Sequence, residues 1–282
     1  MNPIVSKKWL LARLYEPDLA IVDCRFELAS PEAGRKAYAE SHIPGAIYID
    51  LKEDLSAPVT IHGGRHPLPD PAMLAQRLGR AGISNSTRVV AYDDQGGMNA
   101  SRLWWLMHWL GHDHVYVMDE GFSTWKDNGY PVTNEQRITV PASFQFTPRP
   151  EMLASMQQVR QSLDDPNVLL VDSRDAERYI GLQEPIDAKA GHIPGAINRS
   201  WKHVLNDAGA WKSDDQLKEQ FAPVIAAIDS GREVIIYCGS GVSACPNVLA
   251  LYRLGYKQVK LYAGSWSDWI SYEENPVATG EA

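Results

Sequence analysis

The sequence is poor in cysteine and has no clustered metal ligands. It contains three cysteines, Cys24, Cys238 and Cys245, and neither a Cys-x-x-Cys pair nor histidines at the spacing of a zinc site. Three cysteines are too few and too irregularly placed for a disulfide framework. The sequence therefore predicts no metal and no cofactor, and it leaves thiol chemistry in a reducing compartment open.

Long apolar runs and clusters of basic residues are also missing. No stretch of 18 apolar residues occurs, and the N-terminal segment 1–23 has no apolar core followed by small cleavage-site residues. The formal net charge is -8, without the concentration of Lys and Arg that contacts to nucleic-acid phosphates require. We therefore expect a cytoplasmic protein that binds no membrane and no nucleic acid.

An internal repeat spans almost the whole chain of 282 residues. "AIVDCR" at 20–25 matches "LLVDSR" at 169–174, and "SHIPGAI" at 41–47 matches "GHIPGAI" at 191–197. Such paired landmarks at a nearly constant offset indicate one domain that has been duplicated. A chain of this length is also long enough to form two separate cores.

The stretch between the two halves indicates where they are joined. Residues 134–152 contain three prolines and no helical period, which is typical of a linker, so we place the boundary near residue 145. The predicted domains are 1–145 and 146–282. Within each domain, short β-branched apolar runs alternate with longer helical patterns. This alternation favours buried parallel strands with helices on both faces of the sheet.

One segment of the second half, "VIIYCGSGVSACPNVLALYRLGY" at 234–256, has the pattern of a reactive site. A strand would end just before Cys238, at the edge where ligands of open parallel sheets bind. Gly239 and Gly241 allow the N–H groups of the loop to turn inward, and a helix that begins near Cys245 adds the positive end of its dipole. Both effects favour a thiolate at Cys238, although a free cysteine is also a common small core residue.

The duplication, the "HIPGA" motif in both halves and a cysteine loop in the second half alone resemble the tandem rhodanese-domain sulfurtransferases. Among them, the loop "CGSGVSA" is most similar to that of the 3-mercaptopyruvate sulfurtransferases. This resemblance implies an α/β fold of two tandem rhodanese-like domains, each a mainly parallel five-stranded sheet flanked by helices. It also implies that the sulfur of 3-mercaptopyruvate passes to a persulfide on Cys238, with release of pyruvate, and then to thioredoxin, a small thiol or cyanide.

The same resemblance assigns roles to single residues. Catalysis is assigned to Cys238, to Ser240 and to His66, which the segment "HGGRHPLPD" (62–70) would bring into a cleft between the halves. Arg178 would bind the substrate carboxylate through two parallel N–H groups. The other residues assigned to substrate binding are Gly239, Gly241, Val242 and Ser243.

Two parts of the family pattern stay open at this level. Asp50 and Asp54 are both candidates for the partner of the catalytic histidine. The second arginine that the mercaptopyruvate enzymes carry is missing, because Ile186 stands near its expected place. Lys189 or Arg65 would have to compensate for it.

Three other functions compete with this interpretation. Thiosulfate is a dianion that is best held by basic residues directly after the cysteine. In this chain those positions are the neutral Gly239 and Ser240, which favours 3-mercaptopyruvate, a ketoacid with one negative charge. Phosphatase chemistry needs Cys-x5-Arg, and position 244 is alanine. The first half carries Asp93 at the position of Cys238 and lacks the sulfur nucleophile. The third alternative is therefore not an enzyme but a non-catalytic binding or regulatory module. The intact cysteine loop of the second half argues against it.

Structural roles are expected for the remaining conspicuous residues. Features that recur in both halves cannot be specific to one site, so the "HIPGA" histidines should stabilise turns and the strand-end Asp and Arg residues should form ion pairs. These residues are His42, His192, Asp23 with Arg25, and Asp172 with Arg174. The run "WWLMHWL" (104–110) predicts a buried helix face. We expect Cys24 to be structural and Cys245 to lie in the core, with a redox pairing to Cys238 as the alternative.

Overall fold

The computed structural model describes residues 2–280, which divide into two compact units. The first unit comprises the residues up to 57, then 69–149 and 207–211. The second unit comprises 58–68, 150–206 and the residues from 212 onward. The units differ from two continuous halves by the segments 58–68 and 207–211, and the predicted domain boundary near residue 145 stays a prediction.

The first unit is built on five parallel strands in the order β1-β5-β4-β2-β3. The strands are β1 (Ile4–Val5), β2 (Leu19–Asp23), β3 (Ala46–Tyr48), β4 (Arg88–Tyr92) and β5 (Val115–Met118). The helices are α1 (Lys7–Leu11), α2 (Ala33–Glu40), α3 (Pro71–Arg80), α4 (Met98–Trp109) and α5 (Phe122–Asp127). All residues of α4 from 99 to 109 are buried, which confirms the prediction for the tryptophan-rich run.

The second unit repeats this plan with parallel strands in the order β7-β6-β8-β9. The strands are β6 (Val168–Asp172), β7 (Ile197–Asn198), β8 (Glu233–Tyr237) and β9 (Lys260–Leu261). The helices are α6 (Met156–Gln161), α7 (Ala176–Tyr179), α8 (Asp214–Gln220), α9 (Ala222–Asp229), α10 (Cys245–Arg253) and α11 (Ser265–Trp269). Two short 3-10 helices cover Pro150–Met152 and Trp201–Val204.

The expectation of five strands in each sheet is wrong for the second sheet, which has four among residues 2–280. At the edge that corresponds to β1 of the first unit, Leu153 forms a single parallel bridge to Leu261, and the N–H of Ala154 donates to the Leu261 carbonyl at 3.0 Å. The 3-10 helix Pro150–Met152 stands directly before this bridge. Because proline has no N–H and the backbone is already turned there, the pairing cannot extend into a strand.

Both sheets carry the predicted ion pair at the carboxyl end of a central strand. The guanidinium of Arg25 lies 2.6 Å from the carboxylate of Asp23, and that of Arg174 lies 2.6 Å from Asp172. Neither aspartate side chain is exposed to solvent. An unpaired charge would be costly at such a depth, so these pairs hold each strand end to the turn that follows it.

The histidines of the two "HIPGA" motifs have the predicted structural role. Nδ1 of His42 donates to the carbonyl of Tyr38 at 2.7 Å, and Nδ1 of His192 donates to that of Tyr179 at 2.8 Å. Each imidazole stacks on the same tyrosine, with ring centroids 4.0 Å and 3.8 Å apart. Both histidines are buried, so each fixes a turn of its own unit.

None of the helices in residues 2–280 combines the length and the apolar character that crossing a bilayer would require.

Candidate active site

Strand β8 presents Cys238 at the carboxyl edge of the second sheet. The strand is buried from Val234 to Tyr237, lies between β6 and β9, and ends at the residue before Cys238. The loop that follows leads into α10, which begins at Cys245 as the sequence predicts. The cysteine side chain is only 1% exposed, so the surrounding loop rather than bulk water solvates its sulfur.

Main-chain and side-chain groups of two loops surround this sulfur. The N–H of Gly241 donates to Sγ of Cys238 at 3.2 Å. Oγ of Ser265 accepts the N–H of Cys238 at 3.1 Å and lies 4.0 Å from Sγ. The N–H of Trp266 donates to the Cys238 carbonyl at 2.9 Å. The cysteine is therefore fixed at its backbone and its sulfur faces a hydrogen-bond donor.

Gly241 has the conformation for which the sequence suggests a glycine. Its φ is 75°, in the left-handed region, and a Cβ on this residue would lie 2.2 Å from the carbonyl oxygen of Ala263. The close approach and the positive φ together turn the Gly241 N–H toward the sulfur. This geometry supports the predicted inward orientation of the loop amide.

Ser240 and His66 form a hydrogen-bonded pair beside the cysteine loop. Oγ of Ser240 and Nδ1 of His66 lie 2.8 Å apart, and the two residues are 7% and 6% exposed. His66 belongs to the segment 58–68, which the structure groups with the second unit. The structure thus brings together the three residues that the resemblance assigns to catalysis.

Two arginines converge on Gly239, the residue after the cysteine. A Cβ on Gly239 would lie 2.8 Å from Nη2 of Arg65 and 3.6 Å from both Nη atoms of Arg178. The sequence predicts Arg178 at the site and offers Arg65 as one of two alternatives for the missing second arginine. The other alternative, Lys189, is exposed, and its carbonyl accepts the indole N–H of Trp266. The structure therefore favours Arg65.

Both arginines are already paired with acidic side chains. Nη2 of Arg178 lies 2.7 Å from Oε1 of Glu184 and 2.9 Å from Oδ2 of Asp187, while Nη1 of Arg65 contacts Oδ1 of Asp187. The two acidic side chains are each 4% exposed. Burial raises the pKa of Glu184, but hydrogen bonds from Arg178 and from the N–H groups of Asp187 and Ile186 outweigh it and lower that pKa.

The remaining predicted residues lie nearby or have partners elsewhere. The side chain of Val242 is buried and that of Ser243 is half-buried, both in the loop after the cysteine. Asp50 accepts the hydroxyl of Tyr48 and two backbone N–H groups, and Asp54 forms an ion pair with Arg77. Substrate contacts at the loop and the pairing of an aspartate with the histidine stay predictions.

The two other cysteines are buried in different surroundings. Burial raises the pKa of Cys24 well above its usual value, and the neighbouring carboxylates of Asp93, Asp23 and Asp54 raise it further. A neutral, buried thiol fits the structural role expected for Cys24. Sγ of Cys245 donates to the Gly241 carbonyl at 3.3 Å from a fully buried position, as expected of a core residue.

The loop of the first unit that corresponds to the cysteine loop holds an anion of its own. Asp93 follows β4 as Cys238 follows β8, and it is 1% exposed. Its two carboxylate oxygens accept four backbone N–H groups at 2.8–2.9 Å, from Gln95, Gly97, Asn99 and Ala100. Burial raises the pKa of Asp93, whereas the four N–H groups favour its ionised form. The loop therefore turns several amides toward one carboxylate.

Sequence reasoning missed Ser265, Glu184 and Asp187. Ser265 has φ 57°, and Glu120 has φ 65° in the corresponding turn of the first unit, so both units carry a left-handed residue here that is not a glycine and that no sequence pattern indicates. The acidic residues lie in "IGLQEPIDAKA", which has no motif, and their inward orientation depends on contacts with distant arginines. No local pattern could reveal those contacts.

Comparison with known proteins gives matches over nearly the whole chain. The family described as Rhodanese-like domain matches twice, at residues 6–128 and 155–272. The chain is 44% identical over 282 residues to a probable 3-mercaptopyruvate sulfurtransferase of Pseudomonas aeruginosa, covering 99% of this chain and 98% of that protein. It is 36% identical over 278 residues to the thiosulfate sulfurtransferase of Bos taurus, with 95% and 91% covered.

The fold is similar to that of SseA from Escherichia coli, whose structure is described as that of a 3-mercaptopyruvate sulfotransferase. The TM-score is 0.83 at 27% identity, over 95% of this chain and 100% of the other. The chain belongs to the rhodanese family, with two copies of the domain, and it is a sulfurtransferase that acts on small-molecule sulfur donors and acceptors. The fold class, apart from the fifth strand of the second sheet, and the enzyme class predicted from the sequence are confirmed.

Proposed function

We propose that this sulfurtransferase takes sulfur from 3-mercaptopyruvate, with Cys238 as the nucleophile. Sγ attacks the donor sulfur, so an S–S bond forms while the C–S bond of the donor breaks. The electron pair of that bond leaves with the carbon as pyruvate enolate. The hydrogen of the donor thiol ends on this carbon, which gives pyruvate, and Cys238 keeps an anionic persulfide.

The observation that carries the choice of donor is the 2.8 Å contact between Oγ of Ser240 and Nδ1 of His66. Cleavage of a C–S bond leaves a basic carbon that must be protonated, and a hydroxyl coupled to an imidazole is suited to pass that proton. Thiosulfate needs no such step, because sulfite leaves as a stable anion. A buried relay next to the nucleophile therefore favours the ketoacid.

The loop amides support the persulfide. The N–H of Gly241 already donates to Sγ of Cys238, and four amides of the corresponding loop hold the carboxylate of Asp93. Amides that face an anion in a site from which water is excluded stabilise it without reorganisation. The same groups suit both the attacking thiolate and the persulfide that replaces it.

Thiosulfate is the second candidate donor, and one observation favours it. The guanidinium groups of Arg65 and Arg178 both lie beside Gly239, and two cations suit a dianion. Against this, the acidic partners of these arginines offset their charge. We therefore rank thiosulfate below 3-mercaptopyruvate.

For the second half-reaction we propose a thiol acceptor such as thioredoxin or a small thiol, with cyanide as a substitute in the assay. The acceptor thiolate attacks the outer sulfur of the persulfide and leaves Cys238 as a thiolate. The three cysteines are unpaired in the structure, which supports a reducing compartment, and we propose the cytoplasm.

The test is to incubate the protein with 3-mercaptopyruvate or thiosulfate and to measure the intact mass, the peptide masses and pyruvate release. We expect the peptide that contains Cys238 to gain one sulfur atom, in proportion to the pyruvate released. The variant Cys238→Ser should gain none with either donor, and the peptide that contains Cys24 should stay unchanged as an internal control. A sulfur adduct from thiosulfate alone would reverse the ranking of donors, and no adduct from any donor would favour a binding module.

A further inference from the structure

The two arginines beside Gly239 share one carboxylate. Asp187 directs Oδ1 to Nη1 of Arg65 and Oδ2 to Nη2 of Arg178, the latter at 2.9 Å. Each oxygen serves a different guanidinium, so the carboxylate bridges the pair. A donor carboxylate near the cysteine would need the same N–H groups of the same two arginines.

The setting of Asp187 differs from that of its neighbour Glu184. Glu184 accepts the N–H groups of Ile186 and Asp187 and also contacts Arg174, so it holds the loop in shape. Among residues 2–280, the carboxylate of Asp187 has no hydrogen-bond partner except the two arginines. Asp187 can therefore affect the site only through Arg65 and Arg178.

The Asp187 side chain can leave the arginines without rearrangement of a helix or strand. Residues 182–190 lie in no helix or strand, and Ile186 on the outside of the loop is 44% exposed. The Asp187 side chain is nevertheless 4% exposed, because it points inward to the arginines. The backbone is held, because Glu184 accepts the Asp187 N–H and the Lys189 carbonyl accepts the indole N–H of Trp266. Within the described part of the chain, the carboxylate is held by the two arginines alone, so an exchange needs only a rotation of the Asp187 side chain.

The charges of the two arginines and of their two acidic partners sum to zero while Asp187 is in place. Arg65 and Arg178 contribute two positive charges, and Glu184 and Asp187 contribute two negative ones. An incoming anion meets no net attraction until one carboxylate has left. A donor can overcome this only by offering a carboxylate of its own to both guanidinium groups.

We propose that Asp187 is a specificity-determining residue that occupies the place of the donor carboxylate and is exchanged for it when the donor binds. The inference rests on the proposed function, because it concerns the carboxylate of a 2-oxo acid. Asp187 acts through Arg65 and Arg178 and takes no part in sulfur transfer. It competes with every anion that needs these guanidinium groups, so it lowers the affinity for simple anions more than for a donor whose carboxylate can replace it, and it leaves the chemical step unchanged.

The test compares the parent protein with Asp187→Asn, which keeps the shape and removes the charge. KM for 3-mercaptopyruvate should fall about fivefold, the order expected when one competing ion pair is relieved, while kcat changes less than about twofold. The dissociation constant of pyruvate, measured by calorimetry, should fall by the same factor. An unchanged or raised KM and dissociation constant would overturn the proposal, since Asp187 would then only position the arginines.

A matched control separates local from long-range charge effects. Asp215→Asn also removes one negative charge, from a side chain that is 94% exposed in α8, and it should change neither constant. Asp187→Ser is a second variant, and if neither Asp187 variant folds, the carboxylate is structural and the proposal is wrong.

Pyruvate binding does not depend on sulfur transfer. A parent protein that accepts no sulfur from 3-mercaptopyruvate would refute the proposed function. The ratio of pyruvate dissociation constants would still decide whether Asp187 competes for the arginines.

Discussion

The hydroxyl of Ser240 is the group in the loop on which the distinction between the two donors depends. If Ser240 and His66 together protonate the departing carbon, Ser240→Ala should lower kcat with 3-mercaptopyruvate by about a hundredfold, the usual size of general acid catalysis. With thiosulfate the loss should stay below about tenfold, because sulfite needs no proton to leave. Steady-state rates with both donors on the same preparation check this. Equal losses would contradict the proton relay.

At the level of single residues, the sequence is most informative where the site residues are contiguous. Cys238, Gly239, Ser240 and Gly241 stand in one unbroken loop, so their proximity required no knowledge of the fold. His66 is 172 positions away from Cys238, and only a family resemblance suggested its place. Asp187 and Ser265 were missed because an ion pair and a backbone angle are set by tertiary contacts that no local pattern encodes.

The strand–loop–helix element β8 to α10 depends on Gly241. In Gly241→Ala the new Cβ would meet the Ala263 carbonyl at 2.2 Å, in addition to the cost of a left-handed alanine of about 1 kcal/mol. We expect the loop to shift and the Gly241 N–H to turn away from the sulfur. The rate of sulfur transfer to Cys238 should fall by about a hundredfold, since loss of one anion-binding amide commonly costs that much.

Gly231→Ala is the matched control for this substitution. Gly231 has φ 86° and no neighbour within 4 Å of the added Cβ, so it carries the conformational cost without the clash. The left-handed alanine costs about 1 kcal/mol, so the melting temperature of Gly231→Ala should decrease by a few degrees. The rate of sulfur transfer to Cys238 should stay at the parent level in this variant. Mass spectrometry and thermal unfolding of both variants give the comparison. Sulfur transfer at the parent rate in Gly241→Ala would contradict the role of the loop amide.

The order and type of the main elements could also be predicted from the sequence. After their first residues, β4 and β8 are the continuous apolar runs that buried parallel strands require, whereas the helical pattern at 101–111 extends too far for a strand. The missing fifth strand of the second sheet could not be predicted, because a bridge as short as that of Leu153 leaves no periodic pattern. Whether it extends depends on the 3-10 helix before it.

At the scale of the whole molecule, acid should destabilise the first unit through His108. Burial lowers the pKa of His108 from 6.5 to about 4, despite the carboxylate of Asp113 at 3.0 Å, so the folded protein keeps a neutral imidazole. The unfolded chain takes up this proton first as the pH falls below 6.5. The free energy of unfolding should therefore decrease between pH 6.5 and pH 4, by about 3 kcal/mol from this group alone.

The variant His108→Asn removes this titration. Calorimetric unfolding of the parent and the variant at several pH values between 4 and 7 isolates the contribution, because all other groups titrate in both proteins. The difference in stability between the two should narrow as the pH falls, since only the parent is destabilised by protonation of the unfolded chain. If the parent and His108→Asn lose the same free energy of unfolding over this range, the imidazole is protonated in the folded state as well.

The carboxylate of Asp93 gives the duplication a further meaning. Its oxygens stand two bonds beyond Cβ, as does the outer sulfur of a cysteine persulfide. One copy of the ancestral loop thus encodes, as an ordinary amino acid, the charge that the other copy acquires only after reacting. This charge involves no sulfur that could be handed on or oxidised, so the first loop needs no reaction to hold its anion.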